Sequence, residues 1–226
     1  MLKLISSMAT RHLLAELATA WQQVSGVEVC IESVGGVDAA RRVQAGEAFD
    51  GVVLASDAID KLISGGHALA GSRVDLVRSQ VAVTVKAGAA RPDISTESSL
   101  RSAIEAAPTI GYSTGPSGVA LVELFERWGI AESVESRMVQ APPGVPVGTL
   151  VARDQVALGF QQLSELMHLD GITVLGTLPD PIEIATLFSA ATCSVSTESE
   201  TLARLLAFMV SEEAAAVKRR HGMDAA

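Results

Sequence analysis

The sequence predicts an α/β fold, and three observations carry that reading. Short β-type runs alternate with stretches whose apolar residues recur at helical spacing, almost from end to end. Glycine closes several of the helical stretches, as at Ser25-Gly26, Gly65-Gly66 and Gly129. Two extended runs, Val74 to Lys86 and Ile182 to Ser194, are too long for an ordinary strand of about five or six residues, so they read as crossings between two sheets.

Taken in order, Leu2 to Ser6 is a strand, and Ala9 to Val24 carries Leu13, Leu14, Leu17, Ala20, Trp21 and Val24 at helical spacing. Val27 to Ile31 is a second strand. Gly35-Gly36 opens a helix from Val37 to about Gly46, followed by the strand Gly51 to Ala55 and the helix Asp57 to Ile63. Beyond the first crossing and the loop Ala87 to Asp93, a helix runs from Ser95 to Ala106. The strand Thr109 to Tyr112 then meets Ser113-Thr114-Gly115-Pro116-Ser117-Gly118, and a helix follows from Val119 to Trp128. A strand near Arg137 to Val139 leads to Pro142-Pro143-Gly144-Val145-Pro146. The helix Val147 to Arg153, the strand Val156 to Phe160, a helix around Leu163 to Met167 and the strand Ile172 to Leu175 come next. After the return crossing, helices at Glu198 to Met209 and Glu212 to Arg220 finish the chain. The expected architecture is two Rossmann-like lobes joined by two crossover strands: 1–80 plus 185–226 as lobe one, 81–184 as lobe two, with a ligand cleft between them.

Composition narrows the function. The 226 residues are 48% hydrophobic and 19% charged, and mean hydropathy is +0.34. No run approaches the roughly 20 consecutive apolar residues of a membrane span, so disorder and membrane insertion are both excluded. Asp and Glu outnumber Lys and Arg 26 to 17, for a net charge of −9, with no basic cluster to hold phosphates. Nucleic acid is therefore an unsuitable partner. Cys30 and Cys193, far apart and each within an apolar stretch, read as buried thiols rather than a disulfide. The N-terminus lacks the apolar stretch and small-residue cleavage site of a secretory signal. The chain as written is expected in the cytoplasm, or in the periplasm with an ABC permease as partner if a leader has been removed.

Candidate chemistry gathers at four strand-to-helix junctions: Ser6-Ser7, Ser33-Val34-Gly35-Gly36, Ser113 to Gly118, and Pro143-Gly144-Val145. Helix N-termini expose unpaired N–H groups and a partial positive charge, so several of them together hold an anion; singly, such residues also cap ordinary helices. The chain has no G-x-G-x-x-G, no G-x-S-x-G and no phosphate loop, so no cofactor is expected. His12, His67, His168 and His221 are dispersed without metal-site spacing, so no metal is expected. His12 stands apart because Arg11-His12 follows Ser6-Ser7 within the first turns of a helix. Arg78 interrupts an apolar crossing strand, either to grip a carboxylate or as a surface arginine. Tyr112, the single tyrosine, ends a strand where its hydroxyl donates or acts as an acid, or is half-buried packing with a wet tip. Gln161-Gln162 offers neutral donors and acceptors suited to recognition.

These residues resemble a known family. The opening strand with Ser6-Ser7, the Ser33 loop, Phe49-Asp50-Gly51-Val52-Val53-Leu54-Ala55, Gly159-Phe160-Gln161-Gln162 and the terminal stretch Leu206 to Ala215 look like the type II periplasmic solute-binding fold, in its molybdate-binding, ModA-like branch. The resemblance implies a small anion held by serine hydroxyls and backbone N–H groups between two lobes. Ser6, Ser7 and Ser33 match the first-lobe contacts, with Ser117 and Val145 as second-lobe candidates; Ser113 and Gln161 lie in the same segments. Departures are the Gln161-Gln162 pair where that branch carries a tyrosine, the fixed charge of Arg78 and the missing secretory signal, which favour an organic carboxylate over molybdate. The same branch includes aconitate isomerase-like enzymes, which imply a base and an acid at opposite ends of an allylic system. His12, Tyr112 and Arg78 are the candidates for such roles.

Overall fold

In the computed structural model, residues 1–226 are described throughout, and the chain divides into two compact units, residues 1–79 with 186–226 and residues 80–185. The first unit opens with β1 (Leu2–Ser7), a single 3-10 turn at Met8–Thr10, α1 (Arg11–Ser25), β2 (Val29–Val34), α2 (Gly36–Gln44), β3 (Gly51–Ala55) and α3 (Ser56–Ser64). The strand β4 (Val74–Lys86) runs into the second unit. That unit holds α4 (Glu97–Ala106), β5 (Ile110–Tyr112), α5 (Pro116–Arg127), α6 (Ala131–Val134), β6 (Met138–Gln140), α7 (Val147–Ala152), β7 (Leu158–Gln162), α8 (Leu163–Leu166) and β8 (Ile172–Thr177). β9 (Ala185–Thr192) leads back to α9 (Ser199–Met209), α10 (Glu212–Arg220) and β10 (Met223–Ala225).

In the first unit the strand order is β2-β1-β3-β9-β4, with β10 on the first half of β4, where Met223 stands opposite Ser79. β1, β2 and β3 are parallel, and β9 runs antiparallel to β3. β3 is buried at every position, as its uninterrupted apolar run requires of a strand covered on both faces. One face packs Leu4, Leu13, Leu14 and Leu17 against Leu202, Leu205 and Met209; the other packs Ile5, Val52 and Leu54 against Ile59 and Leu62. α1 stops where Gly26 takes φ +71° and donates its N–H to the Gln22 carbonyl, a left-handed cap that glycine adopts without strain.

Edge position corrects one expectation. Cys193 is buried, and burial pushes its thiol up to about 12. Cys30 is also a free thiol but is exposed, because β2 is an edge strand in which alternate residues turn outward and Cys30 shares that face with Glu32.

Two contacts tie α10 to the rest of the first unit. The Lys218 ammonium, 2% exposed, donates to the Leu76 carbonyl at 2.8 Å, and its desolvation lowers its pKa. Glu16 on α1 accepts from Arg220 and from His221 Nε2 (2.8 Å), and these bonds hold its carboxyl below the usual range.

In the second unit β5 is parallel to β6 and β7, while β7 and β8 run antiparallel to the second half of β4 on its two sides. Val83 thus lies opposite both Phe160 and Gly176. Its core joins Val81, Val83 and Val85 to Leu100, Leu121, Phe125 and Phe160. α4 is closed at both ends. Thr96 and Ser99 form a reciprocal capping box at its start, and the Arg137 guanidinium donates to the carbonyls of Ile104, Glu105 and Ala107 at its finish.

Two boundaries and two short elements differ from expectation for local reasons. α5 starts at Pro116 rather than Val119, since proline lacks an N–H and is pre-set for a first helical position. The return run is extended only from Ala185, because Pro179 caps and Pro181 sits within a 3-10 turn at Asp180–Ile182. α6 and β10 are too short for any periodicity to register in sequence.

Candidate functional site

The C-terminal ends of β1 and β2 bring together three serines of the first unit, Ser6, Ser7 and Ser33. Parallel register places Ser6 beside Ser33, and their hydroxyls lie 2.8 Å apart. Ser6 is fully buried. Ser7, 7% exposed, has a buried hydroxyl with no hydrogen-bond partner. Its carbonyl is occupied, accepting from Thr10 Oγ1 at 3.2 Å. A Cβ on Gly36 would come 3.9 Å from the Ser7 Cβ, so the first residue of α2 stands against this serine. Buried polar groups are almost always satisfied, and an orphaned hydroxyl at the carboxyl ends of parallel strands is what a ligand would complete. The Gly35-Gly36 signal was present in sequence; its contact with Ser7 depends on packing.

His12 lies in the first turn of α1, half-buried, and its Nε2 sits 3.0 Å from the Arg11 guanidinium. Arg78 is exposed on β4, in register with Asp224 of β10.

The second unit presents its polar residues in a different state. Ser113 and the buried Ser117 pair with each other at 3.0 Å, at the start of α5. Gly118 locks that loop, because a Cβ there would fall 1.9 Å from the Ser113 carbonyl oxygen. Tyr112 ends β5 half-buried, with its carbonyl accepting from the Ala141 N–H. The Val145 N–H donates to the Pro142 carbonyl at 3.0 Å, closing a turn that Gly144 enters at φ +78°. Gln161 is buried and used at both ends of its amide: Oε1 accepts from Gly148 N–H at 3.3 Å, and Nε2 donates to Glu165 at 2.6 Å.

The chain belongs to the bacterial extracellular solute-binding protein family, whose pattern matches residues 2–224. It is 37% identical over 222 residues to the aconitate isomerase of a Pseudomonas species, a match that covers 95% of this chain and 84% of that protein. Among solved structures, the periplasmic molybdate-binding protein of Azotobacter vinelandii superposes with a TM-score of 0.81 at 20% identity, covering 99% of this chain and 98% of that one. PEB3 with L-phospholactate bound superposes with a TM-score of 0.78 at 15% identity, each chain covered completely. At those identities the two structures establish the fold, a mixed α/β fold shared with periplasmic binding proteins. No helix is long and apolar enough to cross a membrane.

Proposed function

We propose that the chain is an isomerase of an aconitate-type polycarboxylate, acting through the anion receptacle at the ends of β1, β2 and β3. The observation that carries the reading is the buried, unpartnered Ser7 hydroxyl beside the Ser6–Ser33 pair. Helix starts bring N–H groups to the same strand ends, so an incoming carboxylate finds donors already in place. The reaction class is supported by the relative named aconitate isomerase. A 1,3-proton shift is balanced within the substrate. A C–H bond breaks at the methylene carbon, its electron pair becomes the new double bond, and the old double bond takes up a proton at its far carbon. Within the first unit, His12 is assigned as the base and Arg78 as a further carboxylate contact.

Family membership favours a second reading, in which the chain binds a small anion without transforming it. One experiment separates the two: purified protein incubated with cis- and trans-aconitate, followed by ultraviolet absorbance and proton NMR, with citrate and molybdate thermal shifts on the same sample. Interconversion establishes the isomerase. A ligand-dependent shift without interconversion leaves the binding protein.

A further inference from the structure

The start of α1 breaks an ordinary rule of helix chemistry. Its first turn carries no acidic residue and instead presents Arg11 and His12, where the helix dipole favours negative charge. By contrast α2 and α3 follow the rule, with Asp38 and Asp57 in their first turns. Arg11 is exposed, and its guanidinium meets no carboxylate; its hydrogen bond goes to His12 Nε2 at 3.0 Å. The nearest acid along the helix, Glu16, is already held by Arg220 and His221 of α10. Local rules broken in this way mark functional positions.

We propose that Arg11 exchanges its hydrogen bond to His12 Nε2 for a carboxylate of the substrate, and that Nε2 then acts as the base. The base role rests on the isomerase reading above; the carboxylate contact does not. A guanidinium only donates, so its bond to Nε2 places the ring proton on Nδ1 and occupies the lone pair that base catalysis needs. A carboxylate is the stronger partner for the guanidinium, through two parallel charge-assisted bonds. When it arrives, Arg11 turns from the imidazole to the ligand, and Nε2 takes the proton from the substrate C–H. The orphaned Ser7 hydroxyl, one 3-10 turn before Arg11, is a second and independent indication that an anion completes this corner.

The test uses the full chain and tricarballylate, a saturated tricarboxylate that cannot undergo the allylic shift. Nitrogen-15 NMR of the His12 ring, assigned with His12→Gln, should show Nε2 unprotonated in the free protein and shifted on ligand addition. Arg11→Gln should weaken tricarballylate binding by about tenfold or more and abolish the ligand-dependent Nε2 shift, with the thermal melt unchanged because Arg11 is exposed. Arg11→Lys should recover part of the affinity. With cis-aconitate the Arg11→Gln loss should fall mainly on KM. An affinity within about twofold of wild type, or an Nε2 signal that ignores the ligand, overturns the proposal. Absence of turnover in the wild type with the Arg11 affinity effect intact sinks the isomerase reading alone and leaves Arg11 as the carboxylate contact.

Discussion

The two units carry serines at equivalent kinds of place, the start of a helix after a parallel strand, and each holds a serine pair, Ser6–Ser33 in one and Ser113–Ser117 in the other; they differ at Ser7. In the first unit Ser7 keeps a buried hydroxyl without a partner, and Ser6 and Ser33 have chiefly each other. In the second, Ser113 pairs with Ser117, Val145 spends its amide on a turn, and Gln161 bridges Gly148 to Glu165. Satisfied groups build a scaffold; unsatisfied ones are waiting for something. On the proposed function, this contrast leads us to expect ligand affinity chiefly from the first unit.

The largest effect that would sharpen this contrast is structural. Gly118→Ala drives a Cβ into the Ser113 carbonyl, so the loop must move, and a loss of about 3 kcal/mol is expected in urea or thermal unfolding. Next comes Ser7→Ala, which should weaken tricarboxylate binding by about tenfold to a hundredfold, the worth of a hydrogen bond to a charged group, as read by calorimetry. Its stability should hold or rise, because no protein partner is lost. Gln161→Leu should do the reverse, costing about 1–2 kcal/mol of stability by stranding Gly148 N–H and Glu165, with a smaller change in affinity. If Gln161→Leu matches Ser7→Ala in lost affinity, the division between the units fails.

The smallest effect is a pH dependence in the first unit. Burial lowers the Lys218 pKa, so between that lowered value and the ordinary 10.5 the unfolded chain binds more protons than the folded one. Stability therefore rises with pH across that window. Lys218→Met should flatten the rise, measured as urea midpoints across the alkaline range, and should be neutral or stabilising below it.

Much of the fold was legible because its signals are local. The run Val74 to Lys86 was long enough in sequence to announce β4, and the structure extends it over the same residues. Gly51–Ala55 reads directly as a buried strand. Cys30 was misread because an apolar neighbourhood in sequence does not reveal an edge strand, and β10 was missed because three residues carry no period. At the site, the serines and the double glycine could be picked out by type. Their states could not: whether a hydroxyl or an amide finds a partner depends on how the segments around it pack, as Gly148 and Glu165 do around Gln161.

By itself, then, the sequence determined the alternation of helix and strand, that no helix is long and apolar enough to cross a membrane, and which small polar residues open the helices, since propensity and period act over a few residues. Only the tertiary structure decided that Ser6 meets Ser33, that Gly36 lies against Ser7, and that Gln161 accepts from Gly148. The reason is register and packing. A shift of one residue between β1 and β2 would turn Ser6 away from Ser33, and nothing local in either strand records which alignment the buried faces select.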